Sequence, residues 1–140
     1  RSADLRSANL RSADLRSADL RSANLRYADL SSADLRSANL RYADLSSADL
    51  SYAKLKPIDD NFVIIEDFMT VQGLGSCNRQ THIFKTNIGI VIQCGCFYGT
   101  EKAFKKQVKE THKGTNYEKE YLEMLKLAKI RFSRKEQNDR

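Results

Sequence analysis

Residues 1–55 read RSADL RSANL RSADL RSADL RSANL RYADL SSADL RSANL RYADL SSADL SYAKL. Leu recurs at every fifth position from Leu5 to Leu55, with Ala two places before each. A helix advances ~100° per residue, so a five-residue step rotates each Leu by ~140° and scatters the leucines around the cylinder. A flat strand fails as well, because an odd repeat sends successive leucines to opposite faces. What remains is a solenoid in which each unit makes one short side and turns a corner, keeping Leu and Ala inward.

This pattern resembles the pentapeptide-repeat family, whose consensus is A-(D/N)-L-x-x. The resemblance implies a right-handed quadrilateral β-helix with four units per coil and neighbouring coils stacked like β-strands, ~4.8 Å apart. Positions 20 residues apart then form columns. Leu5, Leu25 and Leu45 are expected to be structural core, and a charge at Leu25 should disrupt the fold. Arg21 and Arg41 share one basic side, and Arg16 and Arg36 the next. Asp alternating with Asn before the Leu lowers like-charge repulsion, and each Asp lies near an Arg on the same side. Tyr27, Tyr42 and Tyr52 fall on three different sides. They are expected to contact a partner or the C-terminal domain, and they form no stacking platform for bases.

The whole chain has 140 residues and a net charge of +6. The repeats hold +2 of this and the remainder +4. The best-known relatives that the resemblance suggests are DNA mimics acting on topoisomerases, which need long acidic rods; a short, slightly basic rod disfavours that activity. No apolar run approaches the ~20 residues a membrane span needs. Three Cys, an odd number, argue against a disulfide framework and for a reducing, cytoplasmic setting. The sequence starts in mid-repeat and without Met, so the rod is expected to be truncated at its amino end.

Three segments are expected: a β-helix over 1–55, a linker or cap over 56–66, and a small α+β domain over 67–140. Pro57 cannot donate a ladder bond and ends the repeats. The apolar residues Phe62, Val63, Ile64, Ile65, Phe68 and Met69 are suited to cover the open coil. Strands are predicted over 68–72, 81–86 and 90–97, an antiparallel meander with turns at 73–78 and 87–89. Thr100 offers an N-cap to a helix of about 101–111. Thr115 and Glu118 have capping-box spacing for a second, of about 116–133, with Tyr117, Tyr121, Leu125, Ala128 and Phe132 as its stripe, broadened by Leu122, Met124 and Leu127. The tail from Ser133 is expected to fray. The runs GSCNRQT, IVIQCGCFYGTEKAFKKQV and YEKEYL resemble a small domain of unassigned activity from phage and prophage proteins, which implies a biological setting and no active site.

The turn Gly73-Leu74-Gly75-Ser76-Cys77-Asn78-Arg79 is a candidate anion or nucleotide pocket. Its glycines let backbone N–H groups converge, Gly75, Ser76 and Asn78 supply hydrogen bonds, and Arg79 can grip a phosphate, with Thr81 and Lys85 as outer contacts. The alternative is a plain hairpin turn, with Arg79 paired to Glu66 or Asp67; the spacing fits neither the P-loop nor the Rossmann fingerprint. Cys77, His82, Cys94 and Cys96 are weak candidates for zinc, since the usual paired-Cys spacing is absent; small core thiols are the competing reading. His82 and His112 are placed by no motif for Cys–His catalysis. Lys105 and Lys109, with Lys102, Lys106 and Lys113, make the first helix basic.

Together these features suggest a non-enzymatic binding or scaffold protein of phage or bacterial origin, without a cofactor. The rod would be rigid and the C-terminal domain would recognise a protein; self-association through a solenoid end would add a homo-oligomer. Two alternatives stand beside it: a binder that sequesters a small phosphorylated ligand as a phage counter-defence, and a basic nucleic-acid-binding module.

Overall fold

The computed structural model describes residues 3–75 and 79–138. Within the repeats, isolated parallel bridges join residues 20 apart: Asp4 to Asn24 to Asp44, Asn9 to Asp29 to Asp49, Asp14 to Asp34 to Lys54, and Asp19 to Asn39. Four five-residue units therefore close one coil. The segment is a β-solenoid of very short sides.

Each corner has the same construction. Ala8 N–H donates to the Leu5 carbonyl at 3.0 Å, and the intervening Ser7 has φ +57°. A positive φ at the third position of a four-residue turn is the type II signature, normally a Gly or Asn position. Here Ser or Tyr occupies it ten times, from Ser7 to Tyr52. Each costs on the order of 1 kcal/mol of backbone strain. Ladder bonds on both sides of the corner offset that cost: Leu5 N–H reaches Asn24 O at 2.8 Å, Ser7 N–H reaches Arg26 O at 2.9 Å, and Asn24 N–H reaches Ala3 O at 2.8 Å. Inside, Leu25 and Leu45 are fully buried, whereas Leu5 in the first coil is only half-buried.

The Asp/Asn position has a simpler cause than charge alternation. The side-chain oxygen accepts the backbone N–H two residues on, whether from Asp14 to Arg16 or from Asn9 to Arg11. This local turn needs only a carbonyl-like oxygen. Asp adds a two-pronged pair with Arg at 4–6, 14–16, 19–21 and 34–36. At Ser31, Ser46 and Ser51 the hydroxyl donates to the Asp instead.

Five strands follow: β1 (Lys54–Ile58), β2 (Asn61–Leu74), β3 (Arg79–Thr86), β4 (Gly89–Cys94) and β5 (Phe97–Thr100). They form one antiparallel meander in sequence order. This corrects two expectations. Residues 56–66 are largely strand rather than linker, because β1 grows out of the last repeat and turns through Asp59 and Asp60, both at positive φ, straight into β2. The predicted strand 90–97 is also broken, since Gly95, at φ +57°, turns the chain between β4 and β5.

The sheet is buried on both faces. Val63, Ile65, Phe84 and Val91 join the leucines of the rod in one hydrophobic core. Ile83 and Ile92 point the other way, toward the helices α1 (Glu101–His112) and α2 (Asn116–Asn138). Of the residues expected to cap the coil, Val63, Ile65 and Phe68 do so, whereas Phe62 is 64% exposed and Met69 packs under the helices. Asn87 fastens the β3–β4 turn to β2: its Oδ1 accepts from Ile64 N–H at 2.7 Å and its Nδ2 donates to Phe62 O at 2.9 Å.

Thr100 caps α1, accepting from Ala103 N–H, and Thr115 accepts from Glu118 N–H at the start of α2. The buried face of α2 is Tyr121, Met124, Leu125, Ala128 and Phe132. Tyr117 and Leu127, expected in that stripe, are 44% and 55% exposed, and the helix runs on through residue 133 to 138. The fold is thus three layers: repeat coil, sheet, helix pair.

Candidate functional site at the seam between rod and sheet

Of the weak candidates for zinc, the three that lie within the described residues, His82, Cys94 and Cys96, do not converge. On β3 and β4 His82 sits opposite Gln93, and Thr81 opposite Cys94. Neighbours along a strand point to opposite faces. His82 therefore faces the rod, while Cys94 lies under the helices and accepts a hydrogen bond from the Thr81 hydroxyl at 3.2 Å. Cys96 is exposed in the β4–β5 turn. Cys77 lies outside the described residues, and among the described residues no group of three His, Cys, Asp or Glu is placed to hold a metal.

His82 is instead a structural link between sheet and rod. Its ring is completely buried. Nε2–H donates to the Leu40 carbonyl at 3.2 Å, which leaves Nδ1 to accept from the Thr70 hydroxyl at 2.9 Å. That arrangement requires the neutral ring. Burial pushes its pKa down to about 4, against the smaller opposing effect of the Leu40 carbonyl.

The Gly-rich turn also differs from the expectation. Gly75 N–H, which was to meet an external anion, donates to the chain's own Glu120 carboxylate at 2.9 Å. Gly75 has φ +77°, and a Cβ there would fall 2.0 Å from the Tyr121 ring, so only Gly fits. Thr81 is fully buried. Lys85 is six residues along β3 from Arg79, about 20 Å at ~3.3 Å per residue. Ser76 and Asn78 lie outside the described residues, as does the side chain of Arg79.

The basic surface is divided. Arg16, Arg21 and Arg36 are held by Asp14, Asp19 and Asp34, and Arg16 also approaches Asp34 of the next coil at 3.8 Å. On α1, Lys105 pairs with Glu101, which also binds Lys129 of α2 at 2.6 Å. Burial pushes the Glu101 carboxyl up, and the two ammonium groups outweigh it, leaving it below the usual carboxylate range. Lys102, Lys106 and Lys109 remain exposed on the outer face. On α2, Leu127 and Ile130 are 55% and 63% exposed, one helical turn apart.

The feature that sequence reasoning missed is a cleft of about 420 Å³ where the last coil meets the β4–β5 hairpin. Leu40 and Leu55 of the rod and Phe84 and Phe97 of the sheet give it an apolar floor. Arg41 and Lys56 stand at its edge, and among the described residues no acidic one lines it. The Tyr98 hydroxyl closes one side by donating to the Lys56 carbonyl at 2.6 Å, and burial pushes this phenol well above its usual range. One signal in the sequence narrowed the choice: Arg41, like Arg11 and Arg26, follows Asn, whereas Arg6, Arg16, Arg21 and Arg36 follow Asp. Its meaning depended on the sheet being folded over it.

Comparison with known proteins bears on the rod. Residues 1–36 and 28–56 match the family described as pentapeptide repeats, in eight copies. Residues 1–56 are therefore pentapeptide repeats, in accord with the 20-residue coil. No curated protein and no solved structure matches the chain.

Proposed function

We propose that this is a non-enzymatic binding or scaffold protein in which the repeat coil is a rigid base and the helix pair presents the recognition surface to a protein partner. The right-handed sense of the coil and a cytoplasmic location in a bacterial host belong to the same reading. The single observation that carries the proposal is the continuous core: Leu40, Leu45 and Leu55 of the rod pack with Val63, Ile65, Phe84 and Val91 of the sheet, with no linker between. Such a junction keeps the helix face in a fixed orientation, which lowers the ordering cost of binding. Exposed Leu127 and Ile130 on α2, and exposed Lys102, Lys106 and Lys109 on α1, supply the apolar and basic groups that protein interfaces use. A phage or prophage origin rests on the likeness of the C-terminal runs alone.

The test is affinity capture from the native cells with wild type, a Leu127→Ser/Ile130→Ser double variant, and an Arg16→Ser variant on the rod. A partner lost only with the helix variant supports the reading. Equal retention by all three overturns it. Binding of DNA or RNA that weakens steeply with salt would favour the basic nucleic-acid-binding alternative.

A further inference from the structure

Arg11, Arg26 and Arg41 follow Asn rather than Asp, and among the described residues of the rod Arg41, at the seam, is the one arginine of the three whose Nε is buried without a hydrogen-bond partner. Four described arginines are gripped two-pronged by the Asp two residues before them. Arg41 is not: Asn39 accepts only its backbone N–H, at 3.1 Å. The Arg41 Nε is buried with no hydrogen-bond partner, and its guanidinium lies 5.9 Å from the Tyr42 ring. A buried N–H of a permanent cation left unsatisfied is costly, and a planar oxyanion is the group that fits it.

We propose that this cleft binds a small organic anion, a flat apolar body bearing one carboxylate or similar oxyanion, with Arg41 as the anchor. The apolar body lies on Leu40, Leu55, Phe84 and Phe97; the oxyanion meets Arg41, with Lys56 within the same rim. A volume of about 420 Å³ lies within the range of small-molecule sites, roughly 300–1,000 Å³, and an apolar floor with a few polar groups at the edge is their usual composition. The absence of any lining carboxylate among the described residues leaves the local field positive. Bulk polyanions are a poorer match, because the adjoining arginine columns are already neutralised by Asp.

The repeat itself supplies the most telling variant. Asp occupies the position before Leu in seven of the eleven units, and Asp14 already stacks on Asp34 in neighbouring coils. Asn39→Asp should therefore fold, and it should give Arg41 the internal carboxylate that Arg6, Arg16, Arg21 and Arg36 have. The experiment is isothermal titration of the full chain with naphthalene-2-carboxylate and with its uncharged carboxamide. The carboxylate is expected to bind at least about tenfold more tightly than the carboxamide. Asn39→Asp and Arg41→Gln should each erase that preference with the circular dichroism unchanged, while Arg21→Gln, in the same column but outside the cleft, should keep it. No binding of the carboxylate to folded wild type, equal binding of the two probes, or a preference that survives both Asn39→Asp and Arg41→Gln would overturn the proposal.

Discussion

The repeat coil and the sheet–helix unit stabilise themselves by different means. In the coil every five residues repeat one solution: a strained corner, three ladder bonds, one Leu inward, one Ala beside it. In the sheet–helix unit no solution recurs. Gly75 is required by Tyr121, Asn87 by the backbone of β2, and His82 by Leu40 and Thr70. A repetitive core distributes stability over equivalent leucines, whereas an irregular one concentrates it in single side chains with particular partners.

That contrast can be broken most severely in the coil. Leu30 is completely buried in the second coil, so Leu30→Ala should cost about 2–5 kcal/mol, through lost burial and the cavity left behind. Leu127→Ala, on the exposed face of α2, should leave the urea midpoint nearly unchanged. Equal effects would mean that the coil leucines do not share a common core.

The next effect belongs to the junction. His82 titrates near 4 when folded and near 6.5 when unfolded, so between these values the unfolded chain binds a proton that the folded one refuses. Its contribution is fully present above pH ~6.5 and falls as pH falls, by about 3 kcal/mol at pH 4. The wild type should thus lose more stability than His82→Gln between pH 7 and pH 4, in urea unfolding followed at each pH. The carboxylates titrate alike in both proteins, so the difference isolates the imidazole.

Smaller still is the effect at a single turn. Gly75→Ala should destabilise by roughly 1–3 kcal/mol, because it combines an unfavourable φ with a collision against Tyr121. A matching loss from Tyr121→Leu that is not additive with it would place both on one contact. The smallest change is expected on the rod surface. Asp14→Asn should leave the thermal midpoint unmoved, since Asn9, Asn24 and Asn39 hold the same turn with the same oxygen. A clear loss would show that the exposed Asp14–Arg16 pair contributes beyond its local turn.

Much of the architecture could be read from periodicity. The coil, the meander character of the middle segment, and both helix starts at Thr100 and Thr115 follow from local rules of spacing, turn residues and capping. What local rules could not show has a different cause. Residues 56–66 read as a linker or cap because Pro57, Asp59 and Asp60 break the repeat, and the break is a hairpin that carries the sheet onto the rod. His82 and Cys94 read as weak candidates for one metal set on flanking strands, but strand alternation sends them to opposite faces. The partner of the Gly75 N–H, Glu120, is 45 residues away in the chain and so was not legible from the turn.

The sequence by itself determined the solenoid, because a five-residue period excludes helix and flat strand and leaves a closed coil as the way to bury every Leu. It also determined the capped helices, whose signals are local. Only the tertiary structure decided which functional groups meet. Where the sheet crosses the last coil, it buries His82 against Leu40 and encloses Arg41 beside an apolar floor. These contacts span some 40 residues and depend on which face of each strand turns toward the rod, and that choice is made by the packing of both layers together.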